Sequence, residues 1–243
     1  VLVTCIVVSH DKPDLCHEAI QSLVDQTHTE WQGLVMDSGV LIDGGYFDSF
    51  PWSTHPRLTF LRSGETPRIR RTRAMAPWCF NECFRRGLVR GELVMYLCDD
   101  DLLYPKAFET FVSYAEAQPA VLAMYASQDI GMIYPDGSRA VVGERRAVGL
   151  AGRSCRGRPL DCQVDYLQFC HRREILRFFR GKEYWPEGKR TESHADGIFM
   201  ERCGRYVPVH PIDVKVGQNR RTPQSTYLPA RADGLATLAR RQP

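Results

Sequence analysis

The sequence predicts an α/β chain built on a mostly parallel mixed sheet flanked by helices, and three observations carry that expectation. Short apolar runs rich in β-branched residues alternate with stretches whose apolar positions recur at helical spacing. Several of the runs stop abruptly at a polar cluster, as a strand covered on both faces must when it leaves the core. The length of 243 residues, with 43% hydrophobic and 25% charged residues, suits a single domain with a substantial buried core.

Residues 1–8 are nearly all apolar and form the first such run, ended by Ser9-His10-Asp11. Pro13 stands where a proline opens a helix, and Leu15, Ala19 and Leu23, with Cys16, Ile20 and Val24, continue it at helical spacing. Gly33-Leu34-Val35-Met36 is a second strand, stopped by Asp37-Ser38-Gly39, and residues 58–61 are a third. Residues 72–88 read as a helix with Ala76, Phe80, Phe84 and Leu88 inward, and residues 93–97 as a strand ending in Asp99-Asp100-Asp101. Pro105 opens another helix, carrying Ala107, Phe108, Phe111 and Val112. Residues 121–125 are strand-like, and Ile133-Tyr134 and Ala140-Val141-Val142 flank Pro135-Asp136-Gly137, a hairpin signal.

Strands alternating with helices imply a parallel sheet with right-handed crossovers, whose ligands bind beyond the carboxyl ends of the strands. Ser9-His10-Asp11, Asp37-Ser38 and Asp99-Asp100-Asp101 all lie at such ends, which points to one site. Past residue 143 the pattern loosens. Residues 143–159, rich in Gly and Arg, read as a mobile loop, residues 172–180 as a helix and residues 183–195 as irregular. The tail from Gly217 has little apolar content and reads as partly disordered.

The net charge of +3 excludes an argument for nucleic-acid binding on charge alone. No apolar run approaches the roughly 18–20 residues needed to span a bilayer. The nine cysteines form no paired C-x-x-C signature, so reduced, buried thiols in a cytoplasmic protein are expected. Cys162, Cys170 and His171 lie close in sequence but match no standard metal-site spacing.

Asp99-Asp100-Asp101 is the strongest chemical signal. Adjacent carboxylates repel, by about 4 kcal/mol per pair 4 Å apart at an effective dielectric near 20. They either stand in water as an acidic turn before the next helix or hold a cation, and hard oxygen ligands select Mg2+ or Mn2+. Asp37 either reads a ligand through hydrogen bonds or caps the turn at Gly39. Arg68, Arg70, Arg71 and Arg73 fall within six residues and suit a diphosphate and the carbonyl edge of a base, or a solvated face. Asp196, before the apolar Ile198-Phe199-Met200, is either a helix cap or a general base.

In order and spacing these segments resemble the inverting GT-A glycosyltransferases of family 2, and within it those of spore-coat polysaccharide biosynthesis. The matching stretches are Val3-Thr4-Cys5-Ile6-Val7-Val8-Ser9-His10-Asp11-Lys12-Pro13, Leu34-Val35-Met36-Asp37-Ser38-Gly39, and Arg71-Thr72-Arg73-Ala74 with Asn81. Gly91-Glu92, the run into Cys98-Asp99-Asp100-Asp101, Pro105, His194-Ala195-Asp196-Gly197, Asp213 and Gln224-Ser225 complete them.

The resemblance implies a GT-A fold: one Rossmann-like domain with a donor-binding half over residues 1–112, an acceptor and base half over 113–225, and a flexible tail over 226–243. It implies that Ser9, His10, Asp11, Asp37 and Ser38 hold the base and ribose, and that Arg71 and Arg73 reach the base or diphosphate. Asp99 would contact the ribose, Asp100 and Asp101 the Mn2+ or Mg2+, and Asp196 would be the catalytic base. Two departures stand out: Ser38 replaces a second acid, and Cys98 stands where many members carry the first acid of the metal motif.

The expected activity is inverting transfer from a nucleotide diphosphate sugar, of UDP or dTDP type, to a saccharide or small-molecule acceptor in polysaccharide or natural-product biosynthesis. No nucleic-acid partner is expected. A sugar nucleotidyltransferase would need a Gly-rich phosphate loop after the first strand, and Ser9-His10-Asp11-Lys12-Pro13 has no Gly. A non-catalytic binding module of the same fold would not need both the acidic triplet and Asp196.

Overall fold

The computed structural model describes residues 1–10, 12–38, 47, 50–62, 71–147, 164–179, 181 and 183–222, apart from the side chain of Ser193. Strand β1 (Val3–Ser9) is buried at every position, and so is β2 (Trp31–Asp37), because both are covered on two faces. Between them runs α1 (Pro13–Val24), with Pro13 in its first turn and Cys16, Ala19, Ile20 and Leu23 turned inward. Strand β3 (Leu58–Arg62), helix α2 (Met75–Arg85) and strand β4 (Leu93–Cys98) follow.

Helix α2 is shorter than the apolar pattern over residues 72–88 suggests. Arg73 pairs across an isolated bridge with Gly188, and Ala74 is extended, so the helix cannot start before Met75. At the other end Gly87 takes a φ of 66°, the left-handed turn that stops helices.

The short β5 (Leu102–Leu103) leads into α3 (Ala107–Ala117). Strand β6 (Ala123–Ile133) is one long element running into the expected turn, and β7 (Arg139–Arg145) returns beside it. Residues 143–145 therefore complete a strand rather than begin a loop, and residues 148–159 of that expectation lie outside the described residues. A 3-10 turn (Tyr166–Gln168) precedes β8 (Phe169–Arg172), and another (Arg173–Phe178) stands where residues 172–180 suggest an α-helix. A third 3-10 turn (Lys189–His194) runs into α4 (Ala195–Tyr206), and β9 (Val209–Arg221) follows.

The nine strands form one mixed sheet in the order β3-β2-β1-β4-β8-β6-β9-β5, with β7 on β6. Its first half is parallel: β2 and β4 flank β1, and β3 flanks β2. Strand β8 is antiparallel to both β4 and β6 and forms the seam to the second half. Strand β9 runs parallel to β6 and antiparallel to β5.

Residues 217–221 of the expected disordered tail therefore belong to the sheet; residues 223–243 lie outside the described residues. Gly217 makes the β5·β9 contact possible, since a Cβ there would stand 2.3 Å from the Leu102 carbonyl oxygen.

Two cores cover the sheet. One holds α1 and α3 with Val7, Leu97 and Phe108; the other holds α2 and α4 with Tyr96, Phe80, Trp185 and Phe199. Trp185 and Phe199 stack with centroids 3.9 Å apart. Cys170 and His171, neighbours on β8, face opposite sides of the sheet: Cys170 joins the first core, and His171 packs on Tyr96 and Phe199 in the second. They cannot share a metal ion, and Cys162 lies outside the described residues. Among the described residues seven cysteines are free thiols, and no helix is long and apolar enough to cross a membrane.

Candidate active site

The ends of β1, β2 and β4 meet, as their parallel register requires. Ser9 pairs with Asp37 and Val8 with Cys98, so the chain leaves all three strands at one edge. Hydrogen bonds then tie the three ends together. The Ser38 amide and hydroxyl both donate to the Ser9 carbonyl, at 2.9 and 3.0 Å. The Ser38 hydroxyl also meets His10 Nδ1 at 3.1 Å, and the His10 amide donates to Asp99 Oδ2 at 2.6 Å. Asp37, Ser38 and Asp99 are buried, while His10 is exposed. Asp11 lies outside the described residues.

The acidic triplet splits into three environments. Burial pushes the Asp99 carboxyl up to about 7 against the pull of Lys12, with Asp100 adding to the rise. Asp100 is more open, and its Oδ2 takes the Lys12 ammonium at 2.6 Å, with Asp99 Oδ1 at 3.5 Å. Asp101 is buried, and its Oδ1 accepts from the Arg220 amide at 3.0 Å and the Asn219 side chain at 3.1 Å. Burial, then the charges of Asp100 and Asp165, hold Asp101 well above the usual carboxylate range.

Cys98 Sγ and carboxylate oxygens of Asp100 and Asp101 all lie within 4.8 Å of one another. Burial of the Cys98 thiol and the surrounding carboxylates keep it protonated. The crowding of two carboxylates there would be relieved by a divalent cation. The two carboxylates suit Mn2+ or Mg2+, with Asp100 and the second oxygen of Asp101 as the ligands in reach.

Asp196 lies in the first turn of α4 but is not its cap: His194 holds that position. Its Oδ1 accepts the Gly197 amide at 2.8 Å. Burial, then the charges of Asp196, Cys98 and Asp165, hold the Tyr166 hydroxyl well above its ordinary pKa.

Arg71 and Arg73 are exposed, and Arg73 reaches Glu187 at 3.4 Å. Their segment is pinned to residues 187–188 by the Ala74 amide, which donates to the Glu187 carbonyl at 2.7 Å. Glu187 in turn takes Arg85 at 2.5 Å and Asn81 Nδ2 at 2.7 Å. Asn81 also bonds the Trp185 carbonyl and the amides of Tyr184 and Trp185, so it is scaffold for the segment leading to Asp196. The structure therefore joins Arg73 to the segment that leads into α4. Ser9, His10, Asp37, Ser38 and the acidic triplet come together separately, at the ends of β1, β2 and β4.

Lys12, Asp165, Tyr166, Glu187 and Arg220 are not among the residues that the amino-acid sequence singles out. Lys12, beside a recognised cluster, carried a usable signal. Arg220 did not: it sits in a stretch of polar residues, yet it is buried. Its Nε donates to the Asp100 carbonyl at 2.5 Å, and its Nη1 pairs with Glu18.

No protein-family model matches the chain. Protein CgeD of Bacillus subtilis strain 168 is 25% identical over 241 residues, covering 94% of this chain and 53% of its own length. S. aureus TarS 1–349, solved in complex with UDP-GlcNAc, matches with a TM-score of 0.64 at 13% identity, over 91% of this chain and 59% of that one. The mannosyltransferase PcManGT from Pyrobaculum calidifontis, solved with GDP-Man and Mn2+, matches with a TM-score of 0.62 at 17% identity, over 98% and 60%. The chain thus spans about half to three fifths of the length of these relatives. The likeness establishes the fold, which is that of the GT-A glycosyltransferases.

Proposed function

We propose that the chain is an inverting, metal-dependent glycosyltransferase of family 2 type, moving a sugar from a nucleoside diphosphate onto an acceptor hydroxyl or amine. The observation that carries this reading is the acidic triplet at the end of β4, tied through His10 and Lys12 to the ends of β1 and β2. The reading draws further support from relatives of the same fold solved with UDP-GlcNAc and with GDP-Man and Mn2+.

Asp37, Ser38 and the loop from Ser9 through Asp11 would hold the base and ribose, with Asp99 accepting from a ribose hydroxyl. Buried acceptors of this kind discriminate well, because a wrong ligand leaves them unpaired. Asp100 and Asp101 would hold Mn2+ or Mg2+, which when bound supplies positive charge to the departing diphosphate. Arg71 and Arg73 would add forked donors to the base or diphosphate.

Asp196 would accept the acceptor's proton as its oxygen or nitrogen attacks the anomeric carbon from the face opposite the diphosphate. A carboxylate suffices there, since an oxocarbenium-like centre demands little of the nucleophile. On this reading residues 1–112 bind the donor and residues 113–225 shape the acceptor site. The UDP or dTDP preference and a role in polysaccharide or natural-product assembly belong to the same proposal.

The test is Asp100→Asn, which keeps the shape and removes the charge. Titration calorimetry with UDP, dTDP and GDP should show Mn2+-dependent binding in the parent protein and at least a tenfold loss of it in the variant. Equal Mn2+-dependent affinity in both proteins would overturn the assignment of Asp100.

A further inference from the structure

Among the described residues, Lys12 is the one at the site that already does what a metal ion would do. Its ammonium lies 2.6 Å from Asp100 Oδ2 and 3.5 Å from Asp99 Oδ1, bridging two carboxylates that otherwise repel. It reaches them from the N-cap of α1, where its side chain makes no capping bond and Pro13 fixes the direction of the helix behind it. We propose that Lys12 competes with the divalent cation for Asp100, so that the protein takes its metal only together with a nucleoside diphosphate, whose phosphates receive the displaced ammonium. This inference rests on the glycosyltransferase reading of the site.

A divalent ion bonds a carboxylate oxygen at about 2.1 Å. With the ammonium on the same oxygen, the two cations would stand within about 5 Å, and their repulsion exceeds thermal energy many times over at any dielectric suited to a protein site. One of them must leave. Lys12 has somewhere to go, because it stands at the amino end of a twelve-residue helix whose dipole favours an anion. A diphosphate arriving there would accept the ammonium and free Asp100 in the same event. Binding of metal and nucleotide then becomes mutually reinforcing, and reciprocally so.

The test is titration of Mn2+ alone, and of Mn2+ with saturating UDP, dTDP or GDP, into the parent protein and the variants Lys12→Met, Lys12→Gln and Lys12→Arg. Free Mn2+ is followed by calorimetry and by its electron paramagnetic resonance signal. Melting temperatures confirm that each variant is folded, and the Gln variant stands in if the Met variant is not.

Lys12→Met and Lys12→Gln should bind Mn2+ alone at least tenfold more tightly than the parent. Their enhancement by nucleotide should shrink by a similar factor, while Lys12→Arg stays within about threefold of the parent. If the parent and the uncharged variants bind Mn2+ alone equally, and nucleotide still enhances all of them, Lys12 does not compete and the inference fails while the glycosyltransferase reading stands. If no protein in the set binds Mn2+ or nucleotide under any combination, the reading itself fails and takes this inference with it.

Discussion

Strands β1 and β2 are buried at every residue, and β4 at all but its last, whereas β7 is exposed along nearly its whole length and β9 alternates irregularly. The two halves of the sheet therefore place their site residues by different means. In the parallel half an apolar strand must stop where the core stops, so Ser9, Asp37 and Asp99 arrive at one edge because of the strands behind them. In the mixed half the outer strands β7 and β9 are largely polar and are held by pairing and ion pairs across long stretches of sequence. Lys215 of β9 meets Asp129 of β6 at 2.6 Å and Glu144 of β7 at 3.0 Å, and Arg220 of β9 meets Glu18 of α1. The lesson is that half of this site rests on burial and half on charge, and the two halves should fail differently.

The largest expected effect comes from Asp196, which belongs to neither half of the sheet. If it is the base, Asp196→Asn should lower turnover by roughly 10²–10⁴-fold with donor affinity nearly unchanged. Its melting temperature should hold, because the cap of α4 is His194 rather than Asp196. Near-parental turnover with a competent acceptor would remove Asp196 from the chemistry and leave it a first-turn acid beside a helix dipole.

The same contrast explains what the amino-acid sequence discloses. The fold class, the first four strands and the convergence of Ser9, His10, Asp37, Ser38 and the acidic triplet follow from local patterns. A buried parallel strand announces itself by an apolar run and its end by the first carboxylates. Strand β9 gives no such sign. Its residues 217–221 are Gly-Gln-Asn-Arg-Arg, polar enough to suggest disorder, and they become a strand only because β5 and β6 lie on either side. The 3-10 turn at Arg173–Phe178 is a similar case: it follows β8 directly, and nothing in its residues separates it from an α-helix. Lys12 is legible in part: its place beside the acids is a signal, but only its 2.6 Å contact separates it from ordinary surface charge.

Arg220 breaks the comparison from the charge side. It is 3% exposed and holds the Asp100 carbonyl and Glu18 at once, so it fixes the backbone from which Asp100 and Asp101 project. Arg220→Met should cost about 2–3 kcal/mol of stability, the range for losing hydrogen bonds to a buried charged group. Arg139 offers the control. It grips the same Glu18 carboxylate at 2.6 and 2.7 Å, but its side chain is 51% exposed. Arg139→Ala should therefore cost under about 1 kcal/mol. Equal costs in urea melts would mean that burial does not separate the two arms of this network. Because Asp100 and Asp101 hang from Arg220, its loss should also weaken Mn2+-dependent nucleotide binding, which the Arg139 variant should leave intact.

A pH-dependent effect sharpens the comparison at the seam. His171 lies on β8, between the parallel and the mixed halves, and is fully buried. Its Nδ1 lies 2.9 Å from the Arg172 carbonyl, which can only accept, so that nitrogen carries the proton. Its Nε2 then accepts from the Tyr96 hydroxyl at 2.8 Å. A second proton would have to displace the tyrosine bond inside an apolar core, and burial holds the pKa down to about 4, against an ordinary value of 6.5.

The sign follows from which state binds the proton. Between pH 6.5 and 4 the unfolded chain is protonated at this ring and the folded one is not, so the contribution is fully present above 6.5 and is lost as pH falls toward 4. At about 1.36 kcal/mol per unit, lowering the pH from 7 to 5 should cost about 2 kcal/mol through His171 alone. His171→Gln cannot titrate, yet its amide can still accept from Tyr96 and donate to the Arg172 carbonyl. Urea melts at pH 7, 6 and 5 should show the variant losing less stability than the parent by that amount. Parallel pH dependences in the two proteins would mean that the ring is protonated in the folded state, and that the seam between the two halves is not the dry contact its geometry describes.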